Sequence, residues 1–97
     1  MAEERRYSKD EAEREAQSRL PDWRVEEGML CRKFKTKNFT ASLLAANAIG
    51  HIAEKADHHP DLTVRYGALD IALKSHDVDA LTDRDFSLAE KIDTLLA

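Results

Sequence analysis

The chain is 97 residues long, room for one domain with a modest core, and a domain that small gains from association between subunits. Hydrophobic residues make up 42% and charged residues 35%, the proportions of a soluble globular protein rather than a disordered one. The net charge is -4 with interleaved signs and no basic stripe, so direct nucleic-acid binding is not expected, and no apolar run is long enough to cross a bilayer.

The N-terminus is charged, without the apolar run of a signal peptide, and the cytoplasm is the expected location. Residues 1–7 are expected to form a disordered tail in front of a single domain. Ser8 and Glu11 have the spacing of a capping box, and the stretch from Lys9 to Arg19 is rich in Ala, Glu and Arg, which predicts a short, largely solvated helix. Leu20-Pro21-Asp22 ends it, because proline disfavours the helical conformation of the residue before it.

Two strands are expected next, Trp23 to Glu26 and Leu30 to Lys35, turning at Glu27-Gly28. The second carries the chain's one cysteine, Cys31, too little for a disulfide framework or a zinc ribbon and best explained as a small core or interface residue. Asn38 caps a predicted long helix from Phe39 to about Asp57. Its Leu44, Ala45, Ala48, Ile49, Ile52, Ala53 and Ala56 recur at helical spacing as one buried stripe, with Gly50 tolerated for close packing on a sheet. Pro60 stops this helix. Leu62 to Tyr66 and Leu69 to Leu73 then alternate as a second hairpin around Gly67, and Thr82 caps a last helix from Asp83 to Leu96. Its inner side is expected to carry Phe86, Ala89, Ile92, Leu95 and Leu96. The order α-β-β-α-β-β-α predicts an α+β fold, a four-stranded antiparallel sheet with helices on one face.

Four histidines are present, and three of them look organised. His58 and His59 sit where the long helix meets the third strand. His76 lies just past the fourth, and a hairpin returns the end of its second strand to the start of its first. Histidine titrates near neutral pH and serves as acid or base within one turnover. The helix C-terminus and Glu54, four residues earlier, would both favour a protonated His58. His51 is set aside as a surface residue. Glu54 is equally explained as a solvated helix residue, and Asp85, three after Thr82, as a capping residue. A metal site is disfavoured, since adjacent histidines in extended chain point opposite ways and no helical H-x-x-x-H spacing exists. Pattern alone leaves proton transfer and structural histidines both open.

The run Glu54-Lys55-Ala56-Asp57-His58-His59-Pro60-Asp61, followed by Tyr66, Ser75-His76-Asp77, Leu81-Thr82 and Asp85, resembles the signature of the pterin-4a-carbinolamine dehydratases. The resemblance is spread over half the chain and extends more loosely upstream to Leu20. It implies dimers, often paired into tetramers, and a carbon–oxygen lyase that dehydrates 4a-hydroxy-tetrahydropterin to quinonoid dihydropterin. That reaction regenerates the cofactor of aromatic amino acid hydroxylases, which makes such a hydroxylase a pathway partner. No metal or other cofactor is implied, the reduced pterin being the substrate.

By the same resemblance, one of His58 and His76 protonates the departing 4a-hydroxyl and the other takes the N5 proton, while His59 holds the pterin. Asp85 would orient His76, and Glu54 would support His58. Pterin contacts would come from Asp57, His58 and His59 and from Lys74, Ser75, His76 and Asp77. The chain departs from the family pattern at Leu62, where many relatives have Trp, at Asp79-Ala80-Leu81, where Gly precedes the Leu, and at Ser75, where Thr is frequent. These departures touch substrate affinity rather than proton transfer. The competing expectation is a non-catalytic relative, either a dimerisation cofactor for a transcription factor or an assembly factor for ribulose bisphosphate carboxylase. Members of the latter kind tend to lose part of the histidine set, which is complete here.

Overall fold

A computed structural model describes residues 5–97. In chain order the elements are β1 (Arg6–Tyr7), α1 (Lys9–Arg19), β2 (Arg24–Glu26), β3 (Met29–Lys35), α2 (Phe39–Ala56), β4 (Asp61–Arg65), β5 (Ala68–Leu73), β6 (Leu81–Thr82) and α3 (Asp83–Leu96). The expected four-stranded antiparallel sheet is present, in the order β2-β3-β5-β4. Glu27 and Gly28 both adopt positive φ, 51° and 78°, as a tight two-residue hairpin turn requires.

Alternation decides which face of the sheet is covered. Leu69, Ile71 and Leu73 of β5 are buried, and they stand opposite Phe34, Arg32 and Leu30 of β3. Leu62 and Val64 of β4 continue the same rows. Against this face pack Ile49 and Ala53 of α2 and Phe86, Leu88, Ala89 and Ile92 of α3, forming one core. Arg32 is the charged member of an otherwise apolar row. Asp93 of α3 neutralises it and also accepts from Trp23 Nε1 at 2.8 Å, so one carboxylate fastens α3 to the first hairpin. The other face of the sheet carries Cys31, Lys33, Thr63, Asp70 and Ala72 and is open. Cys31 is half-buried there, and burial pushes its thiol up, away from the thiolate a reactive cysteine needs.

Four expectations are corrected. Residues 1–4 lie outside the described residues, but Arg6 and Tyr7 are not a loose tail: they pair with Thr82 and Leu81 as a two-stranded ribbon. Tyr7 is buried, its ring 4.7 Å from that of Phe86, and its hydroxyl donates to Asp83 at 2.6 Å. In α2, Leu44 is 61% exposed and Ala56 also faces out, so the buried stripe is narrower than the periodicity indicates and runs through Ser42, Ile49 and Ala53. Gly50 is exposed with nothing within 4 Å of a Cβ built on it, so close packing on the sheet is not its reason. In α3, Leu95 is likewise exposed while Leu88 is buried.

Tyr7 makes alkaline stability testable. Burial, then the hydrogen bond to Asp83, pushes its phenol up to about 12. The folded state therefore holds the neutral phenol while the unfolded chain ionises near the ordinary tyrosine value of about 10. That contribution is complete below the lower value and is lost as pH rises through the higher one. Thermal unfolding is expected to show a fall in Tm between those two pH values that is smaller in Tyr7→Phe. Equal slopes for parent and variant would show that Tyr7 does not carry the effect.

Candidate active site

The site is built where the end of α2, the turn after β5 and the start of α3 meet. The helix α2 closes on Asp57, which takes the left-handed conformation (φ 52°, ψ 42°). The amide of His58 then reaches back to Ala53 O at 3.1 Å and that of Asp57 to Glu54 O at 3.1 Å, the bonding of a Schellman closure. This reversal throws the His58 ring inward, and Pro60 prevents the helix from continuing. His58 is 7% exposed, with Nε2 lying 2.6 Å from Oδ1 of Asp85.

Asp85 is fully buried in the first turn of α3. Thr82 caps that helix in a capping box, so Asp85 Oδ2 accepts from the Thr82 amide at 3.0 Å. The same oxygen accepts from the Ser75 hydroxyl at 2.8 Å, and Ser75 Oγ lies 2.8 Å from Thr82 Oγ1. One carboxylate oxygen thus caps a helix and the other meets a histidine. The capping explanation of Asp85 therefore holds, and its second oxygen is still left to meet a histidine.

This corrects the assignment of Asp85 to His76: its partner is His58. The assignment of Glu54 shifts as well. Its Oε1 is 2.6 Å from Nε2 of His59, an exposed pair, because the left-handed step at Asp57 takes His58 off the helical face on which Glu54 stands. His51 is exposed on α2, as expected.

His76 is exposed, at the first position of a four-residue turn spanning the Ser75–Ala80 bridge, with Asp79 at positive φ (50°). Two ion pairs brace the turn, Arg84 to Asp77 at 2.8 Å and Lys74 to Asp79. The bond from Arg84 holds the Asp77 carboxyl below the usual range, with a smaller contribution from His58, and the bond from Lys74 does the same for Asp79. Ser75 and His58 meet on the two oxygens of Asp85, so His58 is tied through Asp85 to the residue that precedes His76 in this turn. Of the residues expected to touch ligand, Asp57, His59, His76 and Asp77 are exposed and Lys74 is half-buried. Ser75 is fully buried, its hydroxyl engaged with Asp85 and Thr82. Thr82 was legible only as a cap, and its second contact, to Ser75, has no local signal in the sequence.

Residues 5–95 match the family described as pterin 4 alpha carbinolamine dehydratase. The chain belongs to that family. A Chloroflexus aurantiacus protein named provisionally as a pterin-4-alpha-carbinolamine dehydratase is 40% identical over 76 residues, 78% of this chain and 82% of its own length. A Rubrobacter xylanophilus protein with the same provisional name is 40% identical over 87 residues, 89% and 80% of the two chains. Among solved structures, a transcriptional coactivator/pterin dehydratase from Brucella melitensis superposes with a TM-score of 0.85 at 27% identity, covering 96% of this chain and all of its own. A pterin dehydratase-like protein identified as a RuBisCO assembly factor in the alpha-carboxysome shares the fold, with a TM-score of 0.66 at 18% identity over 78% of this chain and 90% of its own. Among the described residues no helix is long and apolar enough to cross a membrane.

Proposed function

We propose that this chain is a 4a-hydroxy-tetrahydropterin dehydratase. In the reaction the C4a–O bond breaks, the hydroxyl leaves as water with one added proton, the N5 proton is removed, and a C4a=N5 double bond forms. One of His58 and His76 supplies the first proton and the other accepts the second. His59, steadied by Glu54, holds the ring with Asp57, Lys74 and Asp77, and a reduced pterin is the only small molecule the reading requires. The observation that carries it is a nearly buried imidazole seated on a buried carboxylate, beside a braced turn that displays a second imidazole. Its setting would be the recycling of the hydroxylase cofactor in the cytoplasm.

A stopped-flow dehydration assay on enzymatically generated 4a-hydroxy-tetrahydropterin tests this. The folded chain is expected to accelerate water loss well above the spontaneous rate. A folded chain that leaves that rate unchanged would favour the partner-binding alternative.

Association of copies belongs to the same reading. Phe39, Leu43 and Leu44 stand exposed on the first turns of α2, an apolar group that a 97-residue chain gains by covering. Sedimentation of the parent is expected to give a multiple of the 11.0 kDa chain mass and Leu44→Glu a smaller one. A monomeric parent at micromolar concentration removes this part.

A further inference from the structure

The hydrogen-bond directions around Asp85 determine the state of the His58 ring. Its Oδ2 accepts from two groups that can only be donors there, the Thr82 amide at 3.0 Å and the Ser75 hydroxyl at 2.8 Å. Since Ser75 spends its hydrogen on Asp85, the Thr82 hydroxyl must donate to Ser75 Oγ at 2.8 Å, while Thr82 Oγ1 itself accepts from the Arg84 amide at 3.3 Å. The chain runs one way, from Thr82 through Ser75 to Asp85, and each bond polarises the next. The remaining oxygen, Oδ1, faces His58 Nε2 at 2.6 Å, and a carboxylate accepts. The ring hydrogen therefore sits on Nε2.

The other ring nitrogen follows by elimination. Among the described residues His58 Nδ1 has no hydrogen-bond partner, yet no buried side-chain nitrogen or oxygen is left unpaired. Nδ1 is thus where this nearly buried ring opens to solvent.

We propose that Ser75 and Thr82 are positioning residues that act through Asp85 to hold His58 as the Nε2–H tautomer, leaving Nδ1 as the nitrogen that exchanges a proton with substrate. The exchange rests on the dehydratase reading; the tautomer does not. Because its hydroxyl is enclosed, Ser75 exerts its effect on the rate of the chemical step rather than on pterin affinity.

Asp85→Asn is the sharpest test. Thr82 N–H and Ser75 O–H both need an acceptor, so the Asn oxygen is held on their side and its NH2 turns toward His58. The amide then donates to Nε2, and the ring hydrogen moves to Nδ1. Long-range 1H–15N correlation spectra of ring-labelled protein, recorded at a pH where the ring is neutral, read the tautomer without any substrate. The expected result is Nε2–H in the parent and Nδ1–H in Asp85→Asn, with kcat falling by up to ~10^4-fold, the scale of a comparable tautomer reversal in a serine protease.

Ser75→Ala provides a second arm if Asp85→Asn does not fold. It is expected to lower kcat roughly threefold to tenfold with KM nearly unchanged, on the scale of one net hydrogen bond, and Ser75→Thr, which retains the hydroxyl, recovers most of that loss. An Nδ1–H tautomer in the parent, which a proton on Asp85 Oδ1 would produce, overturns the proposal. So does an unchanged tautomer in folded Asp85→Asn, or a Ser75→Ala defect confined to KM. A parent that shows Nε2–H but does not dehydrate the pterin leaves the tautomer standing and removes the dehydratase reading instead.

Discussion

His58→Ala and His76→Ala are each expected to slow dehydration of 4a-hydroxy-tetrahydropterin by ~10^2–10^4-fold, the range for removing a general acid or base. The two variants should differ in every other respect. His76 is exposed in its turn, so its truncation is expected to change stability by no more than ~0.5 kcal/mol. His58 is 7% exposed and is the partner of a fully buried carboxylate oxygen, so its loss also costs stability, roughly 1–3 kcal/mol for the oxygen left unpaired. Single-turnover kinetics and urea unfolding on the same samples separate the two effects. Variants that both match the parent in rate would end the proton-transfer assignment, whatever they bind. A large stability loss in His76→Ala would mean that its ring packs in the core.

The contrast between these histidines shows what the sequence could and could not disclose. Helix boundaries at Lys9–Arg19 and Asp83–Leu96 were readable to the residue because each begins with a capping box, a device written within four consecutive positions. The two hairpins were readable because Leu69, Ile71 and Leu73 alternate cleanly and hairpins pair neighbours, whereas the β3–β5 pairing that joins them into one sheet was not. The ribbon of Arg6–Tyr7 with Leu81–Thr82 was not, since two residues carry no periodicity and the partner is some 75 positions away. Leu44 misled because helical spacing marks a stripe without fixing its edges.

At the site, the participants were legible and their pairing was not. The resemblance assigned Asp85 to His76, while helical spacing set Glu54 beside His58 by treating α2 as continuing in register to His58. The left-handed residue at Asp57 breaks that register, and with it goes the face-sharing of Glu54 and His58. Asp85 then meets His58 because α2 and α3 pack side by side, a tertiary contact that no spacing rule contains. The burial of Ser75 has the same origin: its hydroxyl is enclosed by residues seven and ten positions ahead, on the next two elements.

The largest stability effect is expected at Asp85. Its carboxylate is fully buried and accepts three hydrogen bonds, from His58, Ser75 and the Thr82 amide. Truncation to Ala would leave these donors without an acceptor. Removing one partner of a buried charged network costs ~3–5 kcal/mol, because the groups left behind remain desolvated. Loss of the capping box at the head of α3 falls on the same residue. Against a total stability of roughly 5–15 kcal/mol for a domain, Asp85→Ala is expected to be partly unfolded at physiological temperature. Asp85→Asn should fare better, since its amide oxygen still serves the Thr82 amide and Ser75 while its NH2 reaches His58. Urea unfolding of the three proteins is therefore expected to rank parent, Asn, Ala in falling midpoint. An Ala variant within about 1 kcal/mol of the parent would mean that water replaces the carboxylate without cost, in which case the site is wetter than the enclosed geometry around Ser75 implies.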